Sequence, residues 1–472
     1  MTEFSRRDSL IVGAGAAVSA AALAPSTAHS AIPMAKIDPP KQPIEPGAEL
    51  RVIRPTKFVD PDEIVWNENT AKFTKATGVK VRTDFVGWED IRAQVAVAAR
   101  TGAGPDVVAG WANDPHLYVE KTLDMTELAT YLGKKYGGWG ALPEKYGKKY
   151  GTNQWISIPM GCGGGALVYR KSWVNEAGYA TPPDDLTKFL DLARKLHKNG
   201  HPLGWALGNS QGDGNGTATW LLWAHGGYQV DEAGKVAINR KETIAALKYG
   251  AELYKTFIPG TLSWLDPSNN KAYLAEEISM TGNGVSIYFV AKNGAATNPT
   301  MARIAADTEH ARLPGAFQGR APEAANTLNA MVFKHTKYPN AAKEYLRFLM
   351  EADQYDNWLT QCLGYWAHPL AAYRDAAVWT SDPKVAVFRD SMNNKFWAGY
   401  KGPISEASAT ATNEYLLVQM FASVASGQST PQEAAREADE VAPGAATNFE
   451  HSSAASQIQP GDHPVAPEQI VL

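Results

Sequence analysis

Cysteine is scarce in this chain: Cys162 and Cys362 are the only two in 472 residues. That excludes a disulfide-built scaffold and a thiolate metal centre, and leaves one Cys162–Cys362 bond open beside two free thiols. Neither cysteine follows the N-terminal apolar segment, so no acceptor for a lipid anchor stands there. No apolar run after Leu23 approaches membrane-spanning length. Basic excess is missing too: the formal net charge is −4, whereas nucleic-acid binders carry basic stripes. No Ser/His/Asp set and no His/Cys metal spacing is present; His197 and His201 straddle Gly200 without a third ligand. Asp213-Gly-Asn-Gly216 opens like a calcium loop, but Ala224 stands where the loop's closing Glu is needed. The expectation is a protein without catalytic set, metal, cofactor or nucleic-acid partner.

Tryptophan is what the chain has in plenty: 14, with 19 tyrosines. Most will pack cores and interfaces. Those that crowd into loops are the informative ones.

Arg6 and Arg7 stand just ahead of a soft Ala/Gly-rich segment, Leu10 to Leu23, followed by Ala28 and Ser30 as a small-residue cleavage site before Ala31. Paired arginines with a weakly apolar core read as a twin-arginine export signal over residues 1–30. Roughly 440 residues then remain, enough for two or three lobes with proper cores. Residues 31–48 hold five prolines from Pro33 to Pro46 and read as an extended linker. Residues 443–472 are Pro/Ser/Gln/Ala-rich and read as a flexible tail.

Between these ends the pattern alternates. Glu49–Arg54 alternates like a strand, Pro61–Thr77 is helical and stops at Gly78, and Val79–Val86 returns as a strand. Trp88–Thr101 reads as a helix and Pro105–Gly110 as a third strand. This β-α-β-α-β order predicts parallel pairing with crossover helices, an α/β protein. Asp184 is expected to cap a helix striped by Phe189, Ala193 and Leu196; Pro339 opens another, and Asn413–Ser426 forms a third.

The strand ending at Gly110 puts Trp111, Asn113 and Asp114 at its carboxyl end, where open α/β sheets place their ligand crevice. A Trp face suits the C–H face of a pyranose, and Asp and Asn suit its hydroxyls. A Trp plugging the end of a core, with an Asp capping the next helix, fits these residues equally well.

The motifs around this stretch resemble the family-1 extracellular solute-binding proteins, the maltose-binding-protein-like receptors of bacterial ABC importers. "GAGPDVV" with "WAND" is similar to the family's strand and ligand segment, and "LDMTEL" to its following helix. "IPMGCGGGALVYRKSW" is similar to the hinge-crossing strand, and "TGNGVSIY", "AAKEYLRFLME" and "LGYWAHPL" follow in the family's order. The resemblance runs over residues 49–440. It implies a type II periplasmic-binding-protein fold: two lobes, each a mostly parallel sheet flanked by helices, joined by three hinge crossings. It divides the chain into a first lobe of residues 49–158 plus 330–363 and a second of 159–329 plus 364–440. It also implies a small-molecule carbohydrate as ligand, an ABC permease as partner, a periplasmic location, action as a monomer and no catalysis.

The resemblance carries the ligand role to Trp111, Asp114 and Asn113. To these it adds Trp88 from the first lobe, Asn283 and Tyr288 from the second, Trp264 and Asn270 on an entrance loop, and Tyr365 and Trp366 near the third crossing. Gly161–Gly165 departs from the bulkier residues of the sugar binders, leaving ligand size open. Two other readings stay open. A secreted carbohydrate-active enzyme would need a second carboxylate facing Asp114. The same receptor could take glycerol phosphate, favoured by Arg54, Lys57 and Arg170 at the crevice, or a polyamine, favoured by an acidic one.

Overall fold

The computed structural model describes residues 32–317, 322–323, 325–390 and 395–445; residues 1–31, where an export signal is expected, and everything beyond residue 445 lie outside the described residues. Among the described residues there are eight strands: β1 (Glu49–Pro55), β2 (Lys80–Val86), β3 (Val107–Gly110), β4 (Ile158–Gly164), β5 (Ala166–Arg170), β6 (Met280–Asn283), β7 (Thr308–Ala311) and β8 (Ala325–Val332). They form two sheets, ordered β2-β1-β3-β8-β4 and β6-β5-β7.

In the first sheet β1 pairs parallel with β2 and β3, as crossover helices require. Those helices are Asp60–Thr77 and Ile91–Thr101, the second starting later than the Trp88 expected from the sequence. Val52, Val107 and Val108 are fully buried between them. β8 then pairs antiparallel with both β3 and β4, and β5 pairs antiparallel with β6 and β7. The expectation of mostly parallel sheets therefore holds only for β1–β3. β4 leads the chain out of the first lobe and β8 leads it back, so their directions oppose.

Strands β4 and β8 belong to the first sheet along their whole length, so the chain passes to the second sheet at Gly165, after the 158/159 division, and is back in the first by Ala325, before the 329/330 division. After the helix Ala352–Gln361, Ala367 exchanges backbone hydrogen bonds with Cys162, both 2.8 Å, and Ala372 N–H donates to the Tyr136 carbonyl at 3.0 Å. The third passage comes after these contacts, later than the 363/364 division, where Lys384 Nζ donates to the second-lobe carbonyls of Ala305, Ala306 and Thr308.

Some caps differ from expectation. Asp185, not Asp184, caps the helix Leu186–Lys198 by accepting from Lys188 N–H at 2.9 Å. The single helix expected over 413–426 is two, Glu406–Asn413 and Leu416–Ala425, broken at Tyr415 with φ of 57°. The proline-rich segment packs on the first lobe: Glu45 accepts the N–H groups of Asn340 and Ala341 at 2.9 and 3.0 Å, at the start of the helix Pro339–Met350. The last helix, Pro431–Ala445, extends into the segment read as tail. Cys162 and Cys362 are both buried and free, with Cys162 Sγ 3.0 Å from Thr327 Oγ1. Among the described residues no helix is long and apolar enough to cross a membrane.

Candidate functional site

Strand ends and helix starts from both lobes converge on a cavity of about 110 Å³. Trp111 leaves β3 at its carboxyl end and turns back because Asp114 Oδ2 accepts its backbone N–H at 3.0 Å. Gly110 permits that fold: a Cβ there would stand 3.0 Å from the same oxygen. The Trp111 indole N–H donates to the Trp88 carbonyl at 3.2 Å, and the two rings meet edge to face at 4.8 Å between centroids. Phe58 closes on Trp88 at 5.2 Å, so the first-lobe wall of the cavity is aromatic.

Arg92, on the helix Ile91–Thr101, locks this wall from behind. Its Nε donates to Asp114 Oδ1 at 2.9 Å and its Nη2 to Asn113 Oδ1 at 3.1 Å. Its Nη1 donates to Gln211 Oε1 of the second lobe, a direct tie across the cleft. Burial raises the Asp114 carboxyl more than Arg92 lowers it.

The second wall is built on Trp205 and Trp220, whose rings stack at 5.3 Å with 27° between planes. Gly282 lies against Trp205; a Cβ there would sit 2.7 Å from the indole nitrogen. The register Ala166↔Asn283 sets Asn283 beside the Gly165 crossing, where it donates to Asn270 Oδ1. Asp213 begins the helix Asp213–Ala224, and Asp266 accepts the N–H groups of Gly212 and Asp213, the latter at 2.8 Å. The Asp213 carboxyl is raised well above the ordinary carboxylate range by burial, then by Asp266 and Glu89. Burial also raises Asp266 and Glu89, and Asp266 adds to the rise of Glu89. At the crossing, Glu323 is neutralised by Lys395, which also donates to the Gly165 carbonyl at 2.5 Å.

Of the residues singled out from the sequence, Trp88, Trp111, Asn283, Asn270 and Tyr365 line the cavity. The others lie elsewhere. Asp114 and Asn113 stand behind Trp111 as partners of Arg92. Trp366 stacks behind Trp88 at 6.2 Å. Trp264 packs against Gly204 and Gly208. Tyr288 turns away on the helix Ser286–Gly294 and donates to Asp382 Oδ2 at 2.7 Å. The cations expected at the crevice are engaged: Arg54 with buried Asp62 at 2.5 Å, Lys57 with Asp60, and Arg170 with Asp307 and Glu276. Phe58, Trp205, Trp220, Asp213 and Asp266 line the cavity without having been singled out as contacts, although Asp213 had been noted as a failed calcium loop.

Two α/β lobes joined by three passages, with an aromatic cleft at the strand ends, define the type II periplasmic-binding-protein fold. The chain belongs to the bacterial extracellular solute-binding protein family, whose sequence model matches residues 61–356. Solved structures share the fold at low identity. Maltose-bound MalE3 of T. maritima is 16% identical, with a TM-score of 0.71 over 84% of this chain and 99% of its own. A Thermotoga lettingae ABC transporter solute-binding protein bound with alpha-D-tagatose is 17% identical, with a TM-score of 0.71 over 84% and 100%. An Agrobacterium radiobacter protein of the same description, in complex with ribitol, is 16% identical, with a TM-score of 0.68 over 84% and 98%. No curated protein matches this chain significantly in sequence.

Proposed function

We propose that the protein captures a sugar or polyol between its lobes, chemically unaltered, and hands it to the membrane permease of an ABC importer. The observation that carries this reading is that Trp88 and Trp111 from one lobe and Trp205 and Trp220 from the other line one cavity. Indole faces take up the C–H side of a sugar ring, and micromolar affinity, about −8 kcal/mol, is within reach of a few such contacts with hydroxyl hydrogen bonds. The Arg92–Gln211 tie supports a closed state that ligand binding populates and the permease recognises. The chain acts as a periplasmic monomer exported through Arg6-Arg7 by the twin-arginine route, without metal, cofactor or nucleic acid. Precursor of the double Arg-to-Lys variant should stay in the cytoplasm; normal export would point to an ordinary secretory signal.

Thermal shift with maltose, laminaribiose, tagatose, ribitol and mannitol tests the ligand. A binder at about a thousand times its Kd stabilises by about 4 kcal/mol, a readily seen shift. No shift with any of them, beside a clear one with a phosphorylated or non-carbohydrate solute, would contradict the reading. Hydrolysis is the second reading, favoured by Glu89 of one lobe standing within electrostatic reach of Asp266 of the other. Release of nitrophenol from aryl glycosides would establish it.

A further inference from the structure

We infer that the captured solute is aminated as well as hydroxylated: an amino sugar or amino polyol whose ammonium group sits against Asp213. This rests on the solute-binding reading above and narrows it. Three observations combine. The first is charge. Among the described residues lining the cavity there is no lysine, arginine or histidine, while Asp213, Asp266 and Glu323 are all present. Lys395 neutralises Glu323, and Arg92 is engaged by Asp114, Asn113 and Gln211. Asp266 is held by the N–H groups of Gly212 and Asp213. Asp213 Oδ2 is buried and has no hydrogen-bond partner, and Glu89 Oε1 nearby has none either. A carboxylate in such a place is stabilised by a cation; Arg92 acts on Asp266, but among the described residues Asp213 has only the Asn269 amide beside it.

The second observation is the pair of indole N–H groups. Trp88 and Trp205 line the cavity, are 6% and 2% exposed, and their Nε1 atoms have no acceptor. An ammonium group has no lone pair to offer them, so a bare polyamine leaves them unsatisfied; hydroxyl and ring oxygens satisfy them. The third is the aromatic surface, which accepts both sugar C–H groups and a cation held over an indole face. A neutral sugar meets the second and third demands and not the first. A phosphorylated one would be repelled by the carboxylates. An aminated carbohydrate meets all three.

Titration calorimetry with probes that share a skeleton and differ in charge reads this directly: glucosamine, glucose and N-acetylglucosamine, then the chitosan disaccharide, cellobiose and diacetylchitobiose, with putrescine as a cation lacking hydroxyls. The amine of a set should bind about tenfold or more tightly than its neutral counterparts. In Asp213→Asn, and in Glu89→Gln as a second variant, that ratio should fall toward parity. Neutral members binding as tightly as the amine would overturn the inference and leave the sugar-binding reading standing. Putrescine binding alone would overturn both, as would silence from every probe. A preference retained in both variants would also overturn it, by removing the acidic corner as its cause.

Discussion

The backbone N–H of Trp111 and the Oδ2 of Asp114 lie 3.0 Å apart, and that bond sets the direction of the indole that heads the first-lobe wall. The other Asp114 oxygen accepts from Arg92, with the two side chains 2% and 13% exposed. Removing one member of so buried a pair leaves the other charge uncompensated, at about 3–5 kcal/mol. Asp114→Ala is therefore expected to lower the urea midpoint markedly. Asp114→Asn, which keeps an acceptor for Trp111, should lower it less. Equal midpoints for the two variants would show that the Trp111 bond contributes nothing.

Gln211 is the cleaner probe of closure, because it meets Arg92 across the cleft while the Arg92–Asp114 pair stays within the first lobe. Hydrogen bonds to charged groups contribute about 1.5–3 kcal/mol. Gln211→Ala should shift the ligand-free protein toward open forms, seen as a larger radius of gyration by small-angle scattering. It should weaken ligand binding about tenfold through the smaller closed population. An unchanged radius and affinity would show that the tie does not govern closure.

His116 is buried on the short helix Asp114–Leu117, its Nε2 donating to the Tyr146 carbonyl at 3.0 Å. Burial lowers its pKa to about 4, against an ordinary 6.5. Between those values the unfolded chain takes up a proton that the folded protein refuses. Stability is thus whole above pH 6.5 and is lost as pH falls toward 4. Replacing it with Asn removes one such proton, worth about 1.4 kcal/mol per pH unit at most in that window. Chemical denaturation at pH 7 and pH 5 should show a smaller loss in His116→Asn than in the wild type. The raised carboxyls of Asp213 and Asp266 act in the opposite direction, but equally in both proteins.

The first lobe was legible because its information is local. Alternation in β1 and β2, with Gly78 and Gly102 closing the two helices, fixes three strands and both crossovers. Trp111 followed from standing at the end of β3. The second wall was not legible, since its placement depends on distant partners. Nothing near Trp205 in sequence says that it stacks on Trp220 and faces a cleft rather than a core. The stretch from Asp213 looked like a loop, yet Asp266 accepts its N–H groups and makes it a helix start. Tyr288 had the right residue type and segment, but its hydroxyl is captured by Asp382. Side-chain direction in these cases is decided by contacts between segments, which periodicity does not record.

Calorimetric titration of the wild type and Trp111→Ala with the tightest ligand found shows whether the solute lies between the indoles. Binding should weaken about tenfold or more, with circular dichroism and cooperative unfolding preserved at a lowered midpoint, since the ring, 4% exposed, also packs into the core. A folded Trp111→Ala that binds with wild-type affinity would place the solute somewhere other than between the indoles.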